Sequence, residues 1–156
     1  MKELVFAPYD TCELEAIQGE IELMRSLVHP NIVRYLGTDT AVSTLYILTE
    51  WVPGGSVQAL VTRFGKLSEP IVRKYAAQLL VGLEYLHSQQ IVHRDIKAAN
   101  ILVDDRGTIK LADFGSSKRL PDGGATNGDD CHSLRGTPYF MAPEVSNGVL
   151  NKDIIP

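Results

Sequence analysis

Four polar side chains that could take part in phosphoryl transfer lie close together in the sequence. Asp95 could accept the proton of a hydroxyl nucleophile, and Lys97, two residues later, could reach the phosphate that is transferred. Asn100 and Asp113 offer amide and carboxylate oxygens, which Mg²⁺ prefers as ligands together with phosphate and water. The alternative is a charged surface loop followed by an unrelated turn at Gly115. The joint spacing of these residue types favours the catalytic interpretation.

Short apolar segments on either side must hold these residues in place. Strands are predicted over Ile91–Val92 and Ile101–Val103, with a returning strand over 108–112 after a turn. Before them, Ser68 and Pro70 begin a long helix. One face of that helix is marked by apolar residues at helical spacing, namely Ile71, Tyr75, Leu79, Leu83 and Leu86.

The first part of the chain is predicted to be richer in strands. A short strand over 1–6 precedes an amphipathic helix over 15–27, and strands over 32–36 and 45–51 form an antiparallel pair. A short helix follows between an N-cap at Ser56 and Gly65. The segment 121–130 holds almost nothing to bury, and we expect it to be disordered. Strands followed by helices predict an α+β fold.

Composition sets further bounds. The 156 residues are 44% hydrophobic and 22% charged, with a net charge of −4, so bulk attraction to nucleic acid or an anionic membrane is not indicated. No apolar run is long enough to span a bilayer, and no signal peptide is visible. Cys12 and Cys131 provide no disulfide framework and no zinc-ligand spacing. We therefore expect a reducing location, cytosolic or nuclear, and take the cytoplasm as the prediction.

Three sequence segments carry a resemblance to a known family. Residues 93–100 read His-Arg-Asp-Ile-Lys-Ala-Ala-Asn, residues 113–115 read Asp-Phe-Gly, and residues 136–144 end in Ala-Pro-Glu. They resemble the catalytic loop, the metal-binding loop and the end of the activation segment of eukaryotic protein kinases. Lys97 resembles a lysine found in the serine/threonine branch of the family, which tyrosine kinases usually lack. Strings at 31–38, 53–57 and 113–120 are similar to MAP kinase kinase kinases.

The resemblance implies a partial bilobal kinase fold. Residues 1–52 would be the remainder of the N-lobe with the hinge, and residues 53–156 the start of the C-lobe with the catalytic loop and activation segment. It also implies ATP and Mg²⁺ as cofactors, and a protein substrate, with a MAP kinase kinase as one candidate. No nucleic-acid or membrane partner is expected.

The same resemblance assigns residues to the nucleotide. Lys2 would be the strand lysine that pairs with Glu20, although Lys2 could be an unrelated terminal lysine and Glu20 a solvated helix-face acid. Backbone groups of Glu50 and Val52 would bond adenine. Leu102 would pack on the ring, be a core leucine, or do both. The implied ATP-binding residues are Lys2, Glu20, Thr49 (as a small gatekeeper), Glu50, Val52, Ser56, Asn100, Leu102 and Asp113.

Three residues would regulate or align the catalytic loop. Arg94 would contact a phosphorylated activation segment, and Ser133 is a candidate phosphorylation site, with an unmodified loop serine as the alternative. Thr137 would bond the catalytic aspartate and lysine, unless it is an ordinary turn threonine before proline. His93 and Phe114 are expected to pack inside the fold.

Two parts of a complete kinase are not recognisable in the sequence. The Gly-rich phosphate loop would precede residue 1, and most helices of the C-lobe would follow residue 156. The sequence is therefore expected to be an internal part of a longer kinase. Two hypotheses follow: a serine/threonine kinase of the MAP kinase kinase kinase type, or an inactive binding or decoy fragment.

Overall fold

The structure is a computed structural model that describes residues 2–5, 11–41, 44–120 and 136–143; for 2–5 and 11–16 it describes the backbone alone. The elements, in chain order, are β1 (Lys2–Val5), α1 (Thr11–Arg25), β2 (Tyr35–Ala41), β3 (Thr44–Thr49), α2 (Val57–Phe64), α3 (Glu69–Ser88), β4 (Ile91–Val92), β5 (Ile101–Val103), β6 (Ile109–Leu111) and β7 (Lys118–Arg119), and a 3₁₀ turn over Pro138–Phe140. The predicted α+β class is confirmed. The expected disorder over 121–130 lies outside the described residues.

A three-stranded antiparallel sheet forms the first part of the chain, in the order β1-β3-β2. The central strand β3 buries Leu45 and Ile47, which alternate along it as expected for a strand with one covered face. The remaining strands form two short antiparallel pairs, β4 with β7 and β5 with β6. These two pairs flank the segment that contains the candidate catalytic residues.

The predicted strand over 32–36 is wrong in its position. Ile32 and Val33 are buried but precede β2, and they join the chain to β6 instead: Ile32 bridges Leu111, and Val33 N–H donates to Leu111 O at 2.9 Å. Their β-branched side chains fill the junction between the two parts of the fold. The strand itself runs on to Ala41, through residues left between the two predicted strands, because β3 supplies the hydrogen-bond partners.

Helix α1 also differs from its predicted bounds of 15–27. It begins at Thr11 and ends at Arg25. The prediction missed the first turn because that turn carries no apolar periodicity. Ser26 and Leu27 continue with i→i−3 bonds to Leu23 and Met24, which is a tightened final turn.

Helix α2 and helix α3 begin at the predicted serines but use them differently. The Ser56 hydroxyl accepts a hydrogen bond from Ala59 N–H at 3.1 Å, whereas Ser68 occupies the N-cap position without a side-chain capping bond. After α3, Gln90 takes a left-handed conformation with φ of 56°. No helix within the described ranges is both long and apolar enough to cross a bilayer.

The apolar face of α3 is covered toward the C-terminal end of the helix. Leu86 is fully buried and Leu79 and Leu83 are half-buried against the core, but Ile71 near the start of the helix is 40% exposed. The core lies beyond the covered end, where the end of α1, β3, α3, β4 and β6 meet. Its buried members are Leu23, Met24, Leu27, Ile32, Ile47, Leu86, Ile91, Leu111 and Phe114.

Candidate active site

His93 fixes the start of the loop between β4 and β5. Its Nδ1 accepts Asp95 N–H at 3.3 Å and its Nε2 lies 3.1 Å from Ala112 O, so a neutral ring with the proton on Nε2 satisfies both contacts. The ring is buried and meets Phe114 edge-on at a centroid distance of 5.1 Å. Burial lowers the pKa of His93 below its usual value, which keeps the ring neutral.

Four side chains converge in a group that we call the Asp95 cluster: Asp95, Lys97, Asn100 and Thr137. Lys97 Nζ lies 2.7 Å from Asp95 Oδ2 and donates to Thr137 Oγ1 at 2.8 Å. The Thr137 hydroxyl in turn donates to Asp95 Oδ1 at 2.8 Å. Asn100 Nδ2 donates to the backbone oxygen of Asp95 at 2.9 Å and to its Oδ2 at 3.0 Å. Both carboxylate oxygens therefore have donors, and the contact expected for Thr137 is present.

These donors determine the charge state of Asp95. Burial alone raises the pKa of the Asp95 carboxyl, but hydrogen bonds from Lys97, Thr137 and Asn100, with the positive charge of Lys97, hold that pKa below its usual range. The carboxylate is therefore ionised at neutral pH.

Asn100 and Asp113, the two candidate metal ligands, are linked through the backbone. Ala112 N–H donates to Asn100 O at 2.8 Å, so the residue before Asp113 lies against Asn100. The amide nitrogen of Asn100 is used toward Asp95, which leaves its amide oxygen as the ligand atom. Within the described segments, no group of three or more His, Cys, Asp or Glu could hold a metal ion. Two oxygen ligands fit Mg²⁺, which completes its shell with phosphate and water.

Arg94 and Gly136 bring the segment after residue 135 to the catalytic loop. Arg94 has a left-handed backbone with φ of 66°, and its Nε donates to Ser116 O. Gly136 has φ of 129°, and a Cβ there would lie 2.6 Å from Arg94 O. This close backbone approach, which only glycine allows, places Thr137 beside Asp95.

The predicted hinge follows directly from the last residue of β3, Thr49, which is half-buried. Val52 is buried, while Trp51 between it and Glu50 is 85% exposed. The half-buried Leu102 lies in β5 and forms an isolated bridge with Ser56. The segment assigned to adenine and the leucine assigned to its ring are therefore connected through Ser56.

Two predicted residues, Lys2 and Ser133, are described only in part or not at all. Lys2 lies in β1 opposite Ile47, but its side chain, and with it the predicted pair with Glu20, lies outside the described residues. Glu20 lies on α1 and is half-buried. Ser133 also lies outside the described residues.

One contact was missed by sequence reasoning. Lys110 Nζ lies 2.8 Å from Glu50 Oε1, which joins β6 to the first residue of the hinge. The alternation of Lys110 with buried Ile109 and Leu111 indicates that its side chain leaves the core. No local pattern could identify a partner 60 residues away.

Comparison with known proteins agrees with this geometry. The family model described as "Protein kinase domain" matches residues 1–152 of this chain. The chain therefore belongs to the protein kinase family, as its motifs predicted.

The similar curated proteins are more specific. Mitogen-activated protein kinase kinase kinase 3 of Arabidopsis thaliana is 48% identical over 93% of this chain and 23% of its own length. Mitogen-activated protein kinase kinase kinase ANP1 of the same plant is 54% identical over 85% of the chain and 20% of its own length. The human mitogen-activated protein kinase kinase kinase 3 is 48% identical over 91% of the chain and 23% of its own length. The predicted resemblance is confirmed, and the chain spans about a fifth of the length of these relatives.

Proposed function

We propose that this chain is a serine/threonine protein kinase that transfers the γ-phosphate of ATP to protein hydroxyls, at the kinase-kinase-kinase level of a MAP kinase cascade. The observation that carries the proposal is the Asp95 cluster, in which a carboxylate, an ammonium group and a threonine hydroxyl contact one another. The names of the relatives support the level in the cascade, and a MAP kinase kinase is the substrate that those names suggest.

In this proposal Asp95 orients the substrate hydroxyl and takes up its proton. A carboxylate whose pKa is held low is a weak base, so early proton removal would contribute little. That suits a loose transition state, in which the bond to the leaving group is largely broken before the hydroxyl oxygen bonds to phosphorus. The main task of Asp95 is then positioning, and the proton reaches its carboxylate late.

Lys97 serves two purposes in the same proposal. Its ammonium group holds Asp95 and Thr137 in place, and it provides positive charge near the phosphate in transfer. Asn100 and Asp113 would hold Mg²⁺, which when bound neutralises charge on the ATP phosphates.

The nucleotide site is proposed from the family resemblance and from the positions of its residues. Glu50 and Val52 would bond adenine through their backbones, beside Thr49 and near Leu102. Lys2 paired with Glu20 would hold the phosphates, and Ser56 would support the hinge segment through its cap of α2.

Regulation and location complete the proposal. Phosphorylation of Ser133 would add charge that Arg94 can bind. The sparse cysteines, without a disulfide framework, support a cytoplasmic location, which cell fractionation can test. In the described part of the chain, no feature specifically favours the inactive binding or decoy hypothesis.

The test is release of ADP in the presence of Mg-ATP, with a MAP kinase kinase and, separately, casein as substrate. Asp95→Asn and Asp113→Ala should each reduce turnover by at least about 100-fold. Lys66→Met, which changes an exposed lysine beyond α2, should retain full activity. Equal activity in all four proteins would contradict the roles given to Asp95 and Asp113.

A further inference from the structure

The carboxylate of Glu50 is held from two sides. Its Oε1 accepts Arg34 N–H at 2.8 Å and the Lys110 ammonium at 2.8 Å. The backbone adds a third bond, because Glu50 N–H donates to Arg34 O at 2.9 Å. The first residue of the hinge is therefore tied to the segment before β2 by both its backbone and its side chain, and to β6 by its side chain alone.

The position of Lys110 is itself fixed. Its neighbours Ile109 and Leu111 are fully buried, and Leu111 N–H donates to Asn31 O at 2.8 Å. Lys110 pairs across the strands with Leu102, and cross-strand partners project to the same face of a sheet. The lysine thus extends from the face that carries Leu102, in a strand that ends at Leu111, two residues before Asp113.

The ion pair is partly shielded from solvent. The Lys110 side chain is 15% exposed and that of Glu50 is 27% exposed. Screening by salt is weaker for such a pair than for exposed charges. If a neutral residue replaced Lys110, the Glu50 carboxylate would lose its only cationic partner among the described contacts. The unpaired charge would then be driven toward water. It would then release Arg34 N–H, and a single backbone bond would hold the start of the hinge.

We propose that Lys110 is a positioning residue for the nucleotide: by holding the Glu50 carboxylate, it fixes the backbone of residues 50–52 against the sheet that carries Leu102. This inference rests on the proposed function, which assigns that backbone to the edge of adenine. A hinge that is ordered before binding spares the nucleotide the entropic cost of ordering it. Lys110 should therefore affect nucleotide affinity and have little effect on the chemical step.

The test compares Lys110→Met with Lys110→Arg, Glu50→Gln and the double variant Lys110→Met/Glu50→Gln. For each protein, KM for ATP and kcat are measured, with the Kd for ADP from calorimetry as a readout independent of turnover. Lys110→Met should raise KM and Kd by about tenfold and change kcat by less than about twofold. Lys110→Arg, which keeps the charge, should restore affinity to within about threefold. Lys66→Met is the matched control and should leave affinity unchanged.

Glu50→Gln separates positioning from general destabilisation, because its amide oxygen can still accept Arg34 N–H while the ion pair is lost. Because a neutral amide is not driven toward water, Glu50→Gln should weaken affinity less than Lys110→Met does. The double variant, which leaves no unpaired carboxylate, should bind more tightly than Lys110→Met alone. Unchanged affinity in Lys110→Met, or additive losses in the double variant, would overturn the role of Lys110. Absence of ADP binding by the unmodified protein would instead overturn the proposed function on which this role rests.

Discussion

The Thr137 hydroxyl donates to Oδ1 of Asp95 at 2.8 Å, although the two residues are 42 positions apart in the sequence. The same hydroxyl accepts a hydrogen bond from Lys97 Nζ. One small side chain thus bridges the carboxylate and the ammonium group of the catalytic loop. The geometry of that loop depends on where the backbone of residues 136–137 lies.

Removal of the Thr137 hydroxyl should impair turnover more than binding. Thr137→Val keeps the shape of the side chain but leaves Asp95 Oδ1 without this donor, and hydrogen bonds to charged groups contribute about 1.5–3 kcal/mol. We expect kcat to fall by about 10- to 100-fold with little change in KM for ATP, measured by steady-state ADP release. Thr137→Ser retains the hydroxyl and should recover most of the activity. Equal losses in the two variants would indicate that the hydroxyl is unimportant.

The ionisation of Asp95 gives a second prediction. Burial raises the pKa of this carboxyl, and its donors more than offset that effect, so removing one donor should raise the pKa. The Asp95 resonance, observed by carboxyl ¹³C NMR, should titrate below its ordinary value of 3.8 in the unmodified protein and at higher pH in Thr137→Val. Because the folded pKa is depressed, the stability contributed by this group is present above the unfolded pKa and lost as pH falls through the folded one. A Thr137→Val pKa equal to or below that of the unmodified protein would contradict the bonding described here.

The buried ring of His93 predicts loss of stability on mild acidification. Its pKa is lowered by burial, so below pH 6.5 the unfolded chain binds a proton that the folded chain does not. The free energy of unfolding should therefore fall as pH drops from about 7 toward 5. His29, whose pKa burial also lowers, acts with the same sign, and urea unfolding is best measured in a His29→Asn background. A stability that is flat across this range, with a His93 ring that titrates at 6.5 by NMR, would contradict the prediction.

Alanine should be harmful at one glycine and favourable at another: it should lower kcat at Gly136 and raise the free energy of unfolding at Gly19. Gly136→Ala would place a Cβ against Arg94 O and strain a backbone with φ of 129°, so the segment must shift and carry Thr137 away from Asp95. We expect kcat to fall at least about tenfold, as in Thr137→Val. Gly19→Ala on α1 meets nothing within 4 Å and should raise the free energy of unfolding by about 0.5–1 kcal/mol. Full activity of Gly136→Ala would show that the close approach to Arg94 is unimportant.

The fold class and the main elements could be predicted from the sequence because their signals are local. The caps at Ser56 and Gly65, and the apolar spacing along α3, depend on neighbouring residues alone. The strand predicted over 32–36 failed because Ile32 and Val33 are buried by a distant segment, β6, and not by the sheet that follows them. β-branched residues indicate burial, but they do not indicate which partner covers them.

The candidate site divides in the same way. Asp95, Lys97 and Asn100 lie within one loop, and their types and spacing make them recognisable from the sequence alone. The pair formed by Glu50 and Lys110 spans 60 residues, and both side chains are common on exposed surfaces, so neither spacing nor residue type could identify it.

Three non-glycine residues near the catalytic loop, Gln90, Arg94 and Asp113, have left-handed backbones with φ between 56° and 66°. Glycine would relieve the backbone strain at each of these positions. At Gln90, which has no role in the proposed mechanism, the substitution should be tolerated. At Asp113 the same exchange would remove a proposed ligand of the metal. A search for thermostable variants of this chain would therefore accept glycine at residue 90 and would enrich inactive proteins if it accepted glycine at residue 113. Stability screens on this domain need activity as a second criterion wherever the backbone itself favours the loss of a side chain.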